Sequence, residues 1–127
     1  MDMEYQPGVC NIGKDEINKR YAFAAAGFVI AAILLYAIFS FAITRWALVF
    51  PFIALVMGFE GFYQGYLGFC AGFAARGVYD LSGSGGSKGK VKDAKSHRID
   101  LDKATQIHVY SVVSGVIVIA IIYLAIR

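Results

Sequence analysis

Residues 46–76 read WALVFPFIALVMGFEGFYQGYLGFCAGFAAR, and this stretch decides what kind of molecule the chain makes. It is apolar enough to cross a bilayer, yet it carries Glu60 and Gln64 near its middle. Glycines recur at Gly58, Gly61, Gly65, Gly68 and Gly72, a 3-4-3-4 spacing, and the next residues, Phe59, Phe62, Tyr66, Phe69 and Phe73, repeat that spacing in aromatics. At about 100° per residue in a helix, the glycines form one stripe. The aromatics lie about 100° to one side of it, and Glu60 and Gln64 about 100° to the other. Helix association in lipid depends on close approach through small residues, so a span with three such faces is suited to touching other helices.

The rest of the chain agrees with a membrane setting. Hydrophobic residues make up 58% of the 127 and the mean hydropathy is +0.60, well above a soluble globular norm. Between residues 21 and 75 the only ionisable side chains besides tyrosine and cysteine are Arg45 and Glu60. That is the pattern of apolar spans between polar segments. The net charge of +3 is small and the aromatics are not interleaved with basic residues, which argues against nucleic-acid binding.

Upstream, residues 1–20 form a polar segment expected in the cytoplasm, without the layout of a secretory signal peptide. Asn11 stands ahead of Asp15 and Glu16, an arrangement that suits a helix start. Residues 21–44 form the first span. Thr44, Arg45 and Trp46 form a tight turn, with Trp46 as an interfacial anchor, and residues 46–76 return as the second span. Pro51 falls near its start, where a missing N–H is tolerated. Residues 77–103 leave the membrane. Their centre, SGSGGSKGK, has the composition of a flexible linker and resembles a phosphate-binding loop only superficially, because Ser84 and Val91 stand where glycine and Ser/Thr are required. Asp100 or Asp102 is the expected cap of the helix leading into the third span, 104–127. The fold class is thus all-α: an antiparallel hairpin plus a third span.

This topology places Lys14, Lys19, Arg20, Arg76, Lys88, Lys90, Lys92, Lys95, Arg98 and Lys103 on one side, against Arg45 and Arg127 on the other. The positive-inside rule then puts the N-terminus and the 77–103 loop in the cytoplasm and the C-terminus outside the cell membrane.

Ala24, Gly27 and Ala31 in the first span repeat the 3-4 spacing of the glycine stripe. With the turn at residues 44–46, antiparallel pairing sets Ala31 opposite Gly58, Gly27 opposite Gly61 and Ala24 opposite Gly65, with Gly68 and Gly72 continuing the packing stripe. Glu60 is the one carboxylate inside a span. A charge there costs at least about 2.5 kcal/mol, so it needs a partner. The third span brings Ser111 and Ser114 to its level, which predicts a polar cluster of Glu60, Gln64, Ser111 and Ser114 with Glu60 protonated. The aromatic stripe is left for lipid or another protein.

Cys10, Cys70, His97 and His108 all fall near the cytoplasmic side. Two Cys and two His could in principle hold a metal, but their spacing matches no compact ligand motif, and a reducing compartment argues against a disulfide. No cofactor and no catalytic constellation is expected.

Residues 11–20, NIGKDEINKR, run directly into a span, and the second span closes on Gly68-Phe-Cys-Ala. In this the chain resembles the YgaP-like transmembrane family: small prokaryotic membrane hairpins with an Asn-x-Gly opening, an acidic–Ile–basic stretch and a Gly-x-Cys-Pro close. More broadly it resembles uncharacterised small prokaryotic membrane proteins with a Cys-Asn-Ile-Gly start. The likeness covers about residues 10–72. Ala71 stands in place of the proline, and the third span is additional. Some family members are fused to rhodanese sulfurtransferases, and no such domain is present here. The resemblance therefore implies the hairpin topology and thiol chemistry at Cys70.

The expected function is that of a non-enzymatic accessory or structural subunit of a larger membrane complex or homo-oligomer, with the lipid bilayer and other membrane subunits as partners. The alternatives are a small transport or proton-conducting unit using Glu60, and a cytoplasmic-face thiol or metal protein using Cys10 and Cys70.

Overall fold

A computed structural model describes residues 5–125. Three of its helices are long and apolar enough to cross a membrane, spanning Lys14–Ser40, Arg45–Leu67 and Ala94–Ala125. We call the first α1 (Lys14–Ser40). The second opens with a 3-10 turn, Arg45–Leu48, and continues as α2 (Val49–Leu67). A short helix, α3 (Ala71–Arg76), and a two-stranded antiparallel hairpin, β1 (Val78–Asp80) with β2 (Lys88–Lys90), lead to α4 (Ala94–Ala125). Arg127, counted in the charge balance above, lies outside the described residues.

The α-helical hairpin forms as expected, but its turn sits earlier. α1 ends at Ser40 and the chain reverses through residues 41–44, where Ala42 adopts a φ of 51°, a left-handed conformation unusual for a residue with a Cβ. Pro51 is buried in the first turn of α2, where no intrahelical donor is lost. The earlier turn slides the two helices by one helical turn relative to the predicted register. A Cβ on Gly27 would stand 2.8 Å from Cα and N of Gly58, and one on Gly61 would stand 2.7 Å from the Arg20 carbonyl oxygen and 2.8 Å from the Ala24 nitrogen. Gly65 faces the Tyr21 ring. Gly27 therefore meets Gly58 rather than Gly61, Ala24 meets Gly61 rather than Gly65, and Ala31, though buried, lies beyond Gly58.

The second span does not run unbroken from 46 to 76. α2 stops at Gly68, whose φ of 65° is left-handed, with the Gly68 and Phe69 amides donating back to the last turn. This is a glycine helix stop. Gly68 and Gly72 consequently leave the packing stripe, and Gly72 is exposed. The aromatic row is split as well. Phe59 packs edge-on against Phe28, Phe62 and Tyr66 remain exposed, and Phe69, beyond the break, is fully buried.

α2 is the middle helix. It packs on α1 through its glycines and on α4 through Val56, Tyr63 and neighbouring residues, while α1 and α4 make at most marginal contact with each other. The spans thus form a single layer, α1–α2–α4, rather than a closed bundle.

The segment expected to be a flexible linker is ordered into a polar cap. Residues 10–13 bridge to β1: the Asp80 amide donates to the Asn11 carbonyl and the Gly13 amide to the Asp80 carbonyl. The glycine- and serine-rich loop between the strands folds over the start of α1. There Ser84 Oγ accepts from the Lys14 amide at 2.7 Å and supplies the cap that Gly13, the N-cap residue, cannot. A Cβ at Gly83 would stand 2.7 Å from the Asp15 carboxyl carbon. The composition that suggests a linker serves this close approach. Asp80 accepts from both the Ser82 amide and hydroxyl, and those bonds hold its carboxyl below the usual range. The cap of α4 is Asp93, bonded to the Ser96 amide and hydroxyl, not Asp100 or Asp102.

Asp100 is instead fully buried. Its carboxylate accepts from the Tyr5 hydroxyl and from the Gly8 amide, the latter at 2.8 Å, and Tyr5 stacks on Tyr79 with ring centres 4.6 Å apart. The N-terminal segment is thereby fastened to α4. Burial, and then the bond to Asp100, push the Tyr5 phenol above its ordinary value of 10.0. The neutral phenol is the form the fold favours, so its contribution is full below that ordinary value and is lost as pH rises through the raised one. Tyr5→Phe is expected to lower stability by about 1–3 kcal/mol at neutral pH and to flatten the alkaline limb of a detergent melting profile. An alkaline limb unchanged in the variant would refute the assignment.

Candidate functional site

Two polar constellations break the apolar character of the layer. The first lies within the spans. Glu60, on α2, is joined to His108, on α4, with Oε1 and Nδ1 2.5 Å apart, and its other oxygen accepts from Gln64 at 3.0 Å. One turn separates Glu60 from Gln64, which is why one side chain can brace the other. Glu60 is largely covered, with 19% of its side chain exposed, but His108 is 57% exposed. The pair can hold a shared proton in either arrangement, with the imidazole donating to a carboxylate or a carboxylic acid donating to the imidazole.

The two serines expected beside Glu60 are bonded elsewhere. Ser111 is fully buried and donates to the Ile107 carbonyl on its own helix. Ser114 shares a 2.7 Å hydrogen bond with the Tyr63 hydroxyl, and Tyr63 also meets the Tyr110 ring. Near this crossing, Gly115 lets α4 approach Val56 and Phe52. His108 took the place of the serines because the Nδ1 of an imidazole reaches farther from its backbone than a serine hydroxyl. The sequence placed His108 near the cytoplasmic side among the possible metal ligands, not beside Glu60.

The second constellation is the junction at the break in the second span. Asn11 is fully buried. Its amide nitrogen donates to the Cys70 carbonyl at 3.0 Å, its amide oxygen accepts from the Cys70 nitrogen at 2.6 Å, and its own backbone amide donates to the Gly68 carbonyl. Asn11 is therefore no helix cap; it supplies the backbone partners that Cys70 loses where the helix is interrupted. Arg20 points a guanidinium nitrogen at the Cys70 sulfur, 3.0 Å away, and the same nitrogen reaches Glu16 at 3.3 Å. Below it, Phe69, Ala71 and Ala74 pack against Ala104 and Ile107 to form the apolar core of the cap.

The residues considered as metal ligands are dispersed. Cys70 is engaged with Asn11 and Arg20, His97 contacts the Ala74 carbonyl at 3.1 Å, His108 pairs with Glu60, and Cys10 is half-buried in the N-terminal turn. No group of three or more His, Cys, Asp or Glu converges among the described residues.

Fold and site together define a small polytopic membrane protein with a polar pair inside its spans and an ordered cap at one end. No family model, no curated protein and no solved structure matches the chain.

Proposed function

We propose that this chain is a non-catalytic accessory subunit of a membrane complex or homo-oligomer, and that a neighbouring helix completes the surroundings of the Glu60–His108 pair. The observation that carries this reading is a half-exposed imidazole at the depth of a largely covered carboxylate, on the outside of an open three-helix layer. Lipid can cover the apolar faces of such a layer, but it offers nothing to a polar ring, and intramembrane ionisable groups characteristically face protein or water. The lysine and arginine imbalance supports a plasma-membrane orientation with the cap in the cytoplasm. Membership of the YgaP-like family is part of the proposal too. Its two diagnostic stretches, Asn-x-Gly and Gly-x-Cys, meet here through Asn11 and Cys70.

Sizing in mild detergent tests the proposal. The wild-type particle should exceed the mass of one chain, and Glu60→Gln should shift it toward the monomer by weakening the pair. A lone wild-type monomer would sink the reading. The Glu60–His108 contact favours one second reading, a proton relay. In that case Glu60→Gln would keep the assembly intact while abolishing proton flux into liposomes.

A further inference from the structure

The side of the layer away from the cap carries a feature that the Glu60–His108 pair does not explain. Beyond the close approach at Gly115, an open groove of about 630 Å³ lies between α2 and α4. Its walls include Leu48, Phe52, Val116, Ala120 and Tyr123, so it is almost wholly apolar. From Val116 to Tyr123 it follows α4 for roughly 10 Å at the usual rise per residue. Arg45 stands at its mouth beside Trp46, which is 88% exposed.

Among the described residues, no carboxylate pairs with Arg45. Its guanidinium rests over the Tyr123 ring, 5.3 Å from the centroid. The nearest acid along α2 is Glu60, 15 residues away, which is about 22 Å of helix. The remaining acids among the described residues lie in the cap or in the adjoining ends of α1 and α4. An arginine at a membrane–water interface, flanked by an exposed tryptophan and opening onto an apolar slot, matches one molecule in both of its parts. The phosphate would take the guanidinium's paired donors, and an acyl chain would fill the slot.

We propose that the Arg45 groove is a binding site for an anionic phospholipid, in the leaflet on the side of the α1–α2 turn. The charge supplies the headgroup preference: a zwitterionic lipid brings its own cation next to Arg45, whereas an anionic lipid leaves the guanidinium as the compensating charge. The site is independent of the role proposed for Glu60.

The test uses the full chain in mild detergent, titrated with phosphatidylglycerol, phosphatidylcholine or inorganic phosphate, with lipid retention followed by native mass spectrometry and stability by thermal melting. Phosphatidylglycerol should be retained at least tenfold better than phosphatidylcholine and should raise the melting temperature. Arg45→Gln should abolish the difference between the two lipids. Ala120→Leu, which narrows the slot without touching the charge, should weaken retention of both. Both sites are exposed, so the lipid-free variants should melt close to wild type, and a variant that fails to do so leaves the other as the decisive comparison. Equal retention of the two lipids, or stabilisation by inorganic phosphate as strong as by phosphatidylglycerol, would overturn the proposal. So would a lipid-free dimer that either substitution dissociates, since that would put a second copy in the groove.

Discussion

Gly27→Ala is expected to destabilise the protein by about 2 kcal/mol, as large an effect as any single methyl group added to the glycine and alanine stripes would have. The new Cβ would lie 2.8 Å from backbone atoms of Gly58. Backbone cannot rotate away as a side chain can, so α1 and α2 must separate along their length, and overpacking of this kind costs about 1–3 kcal/mol. The gain in helix propensity from glycine to alanine, about 1 kcal/mol in a soluble helix, offsets only part of it. Gly61→Ala meets backbone of Arg20 and Ala24 and should behave alike. Gly58→Ala meets the Phe28 ring, which can shift, and should cost less. Gly72→Ala touches only the Cys70 sulfur, at 3.7 Å, and should be neutral. Unfolding in mixed micelles gives the ranking, and a Gly72 variant as damaged as the Gly27 variant would contradict the observed helix contacts.

Asn11→Ala should cost about 3 kcal/mol or more. It deletes two hydrogen bonds to the Cys70 backbone in a fully buried setting, and each buried group left unpaired costs about 1–3 kcal/mol. Asn11→Asp keeps the shape but cannot donate to the Cys70 carbonyl, and it brings a charge into the interior, so it should be no milder. Asn18→Ala, at an exposed position of α1, should stay within about 0.5 kcal/mol of wild type. The local readout is Cys70, whose side chain is buried in the native cap. Peptide mapping after maleimide treatment should show faster labelling of Cys70 in the Asn11 variants than in wild type. Unchanged protection of Cys70 would mean that the junction does not depend on Asn11.

These two effects divide along the line between what could be read in the sequence and what could not. The small-residue stripes were legible because a 3-4 spacing maps onto one face of a helix wherever that helix sits. Their pairing was not, because register depends on where the chain turns. A left-handed Ala42 ended α1 at Ser40, a few residues before the turn that Thr44 and Trp46 suggest. Glu60 was legible as a group that must find a partner, and Gln64 as its neighbour on the same face. That the partner is His108, rather than Ser111 or Ser114, depended on how far each side chain reaches across the α2–α4 seam.

The cap was the least legible part. Glycine and serine between residues 82 and 87 look the same in composition whether they are solvated or pressed against a helix start. Only the fold brings Ser84 onto the Lys14 amide and Gly83 against Asp15. Gly68 likewise lies within an unbroken apolar run, and nothing local distinguishes it from Gly65. It ends the helix because Asn11, more than fifty residues earlier, offers the Cys70 backbone an alternative set of partners. The sequence alone determined the membrane-spanning class, the three spans and the small-residue faces, because hydropathy and helical periodicity are local properties. The tertiary structure alone decided the helix register, the break after Leu67, the Glu60–His108 pair and the ordered cap, because each of these depends on distant residues meeting.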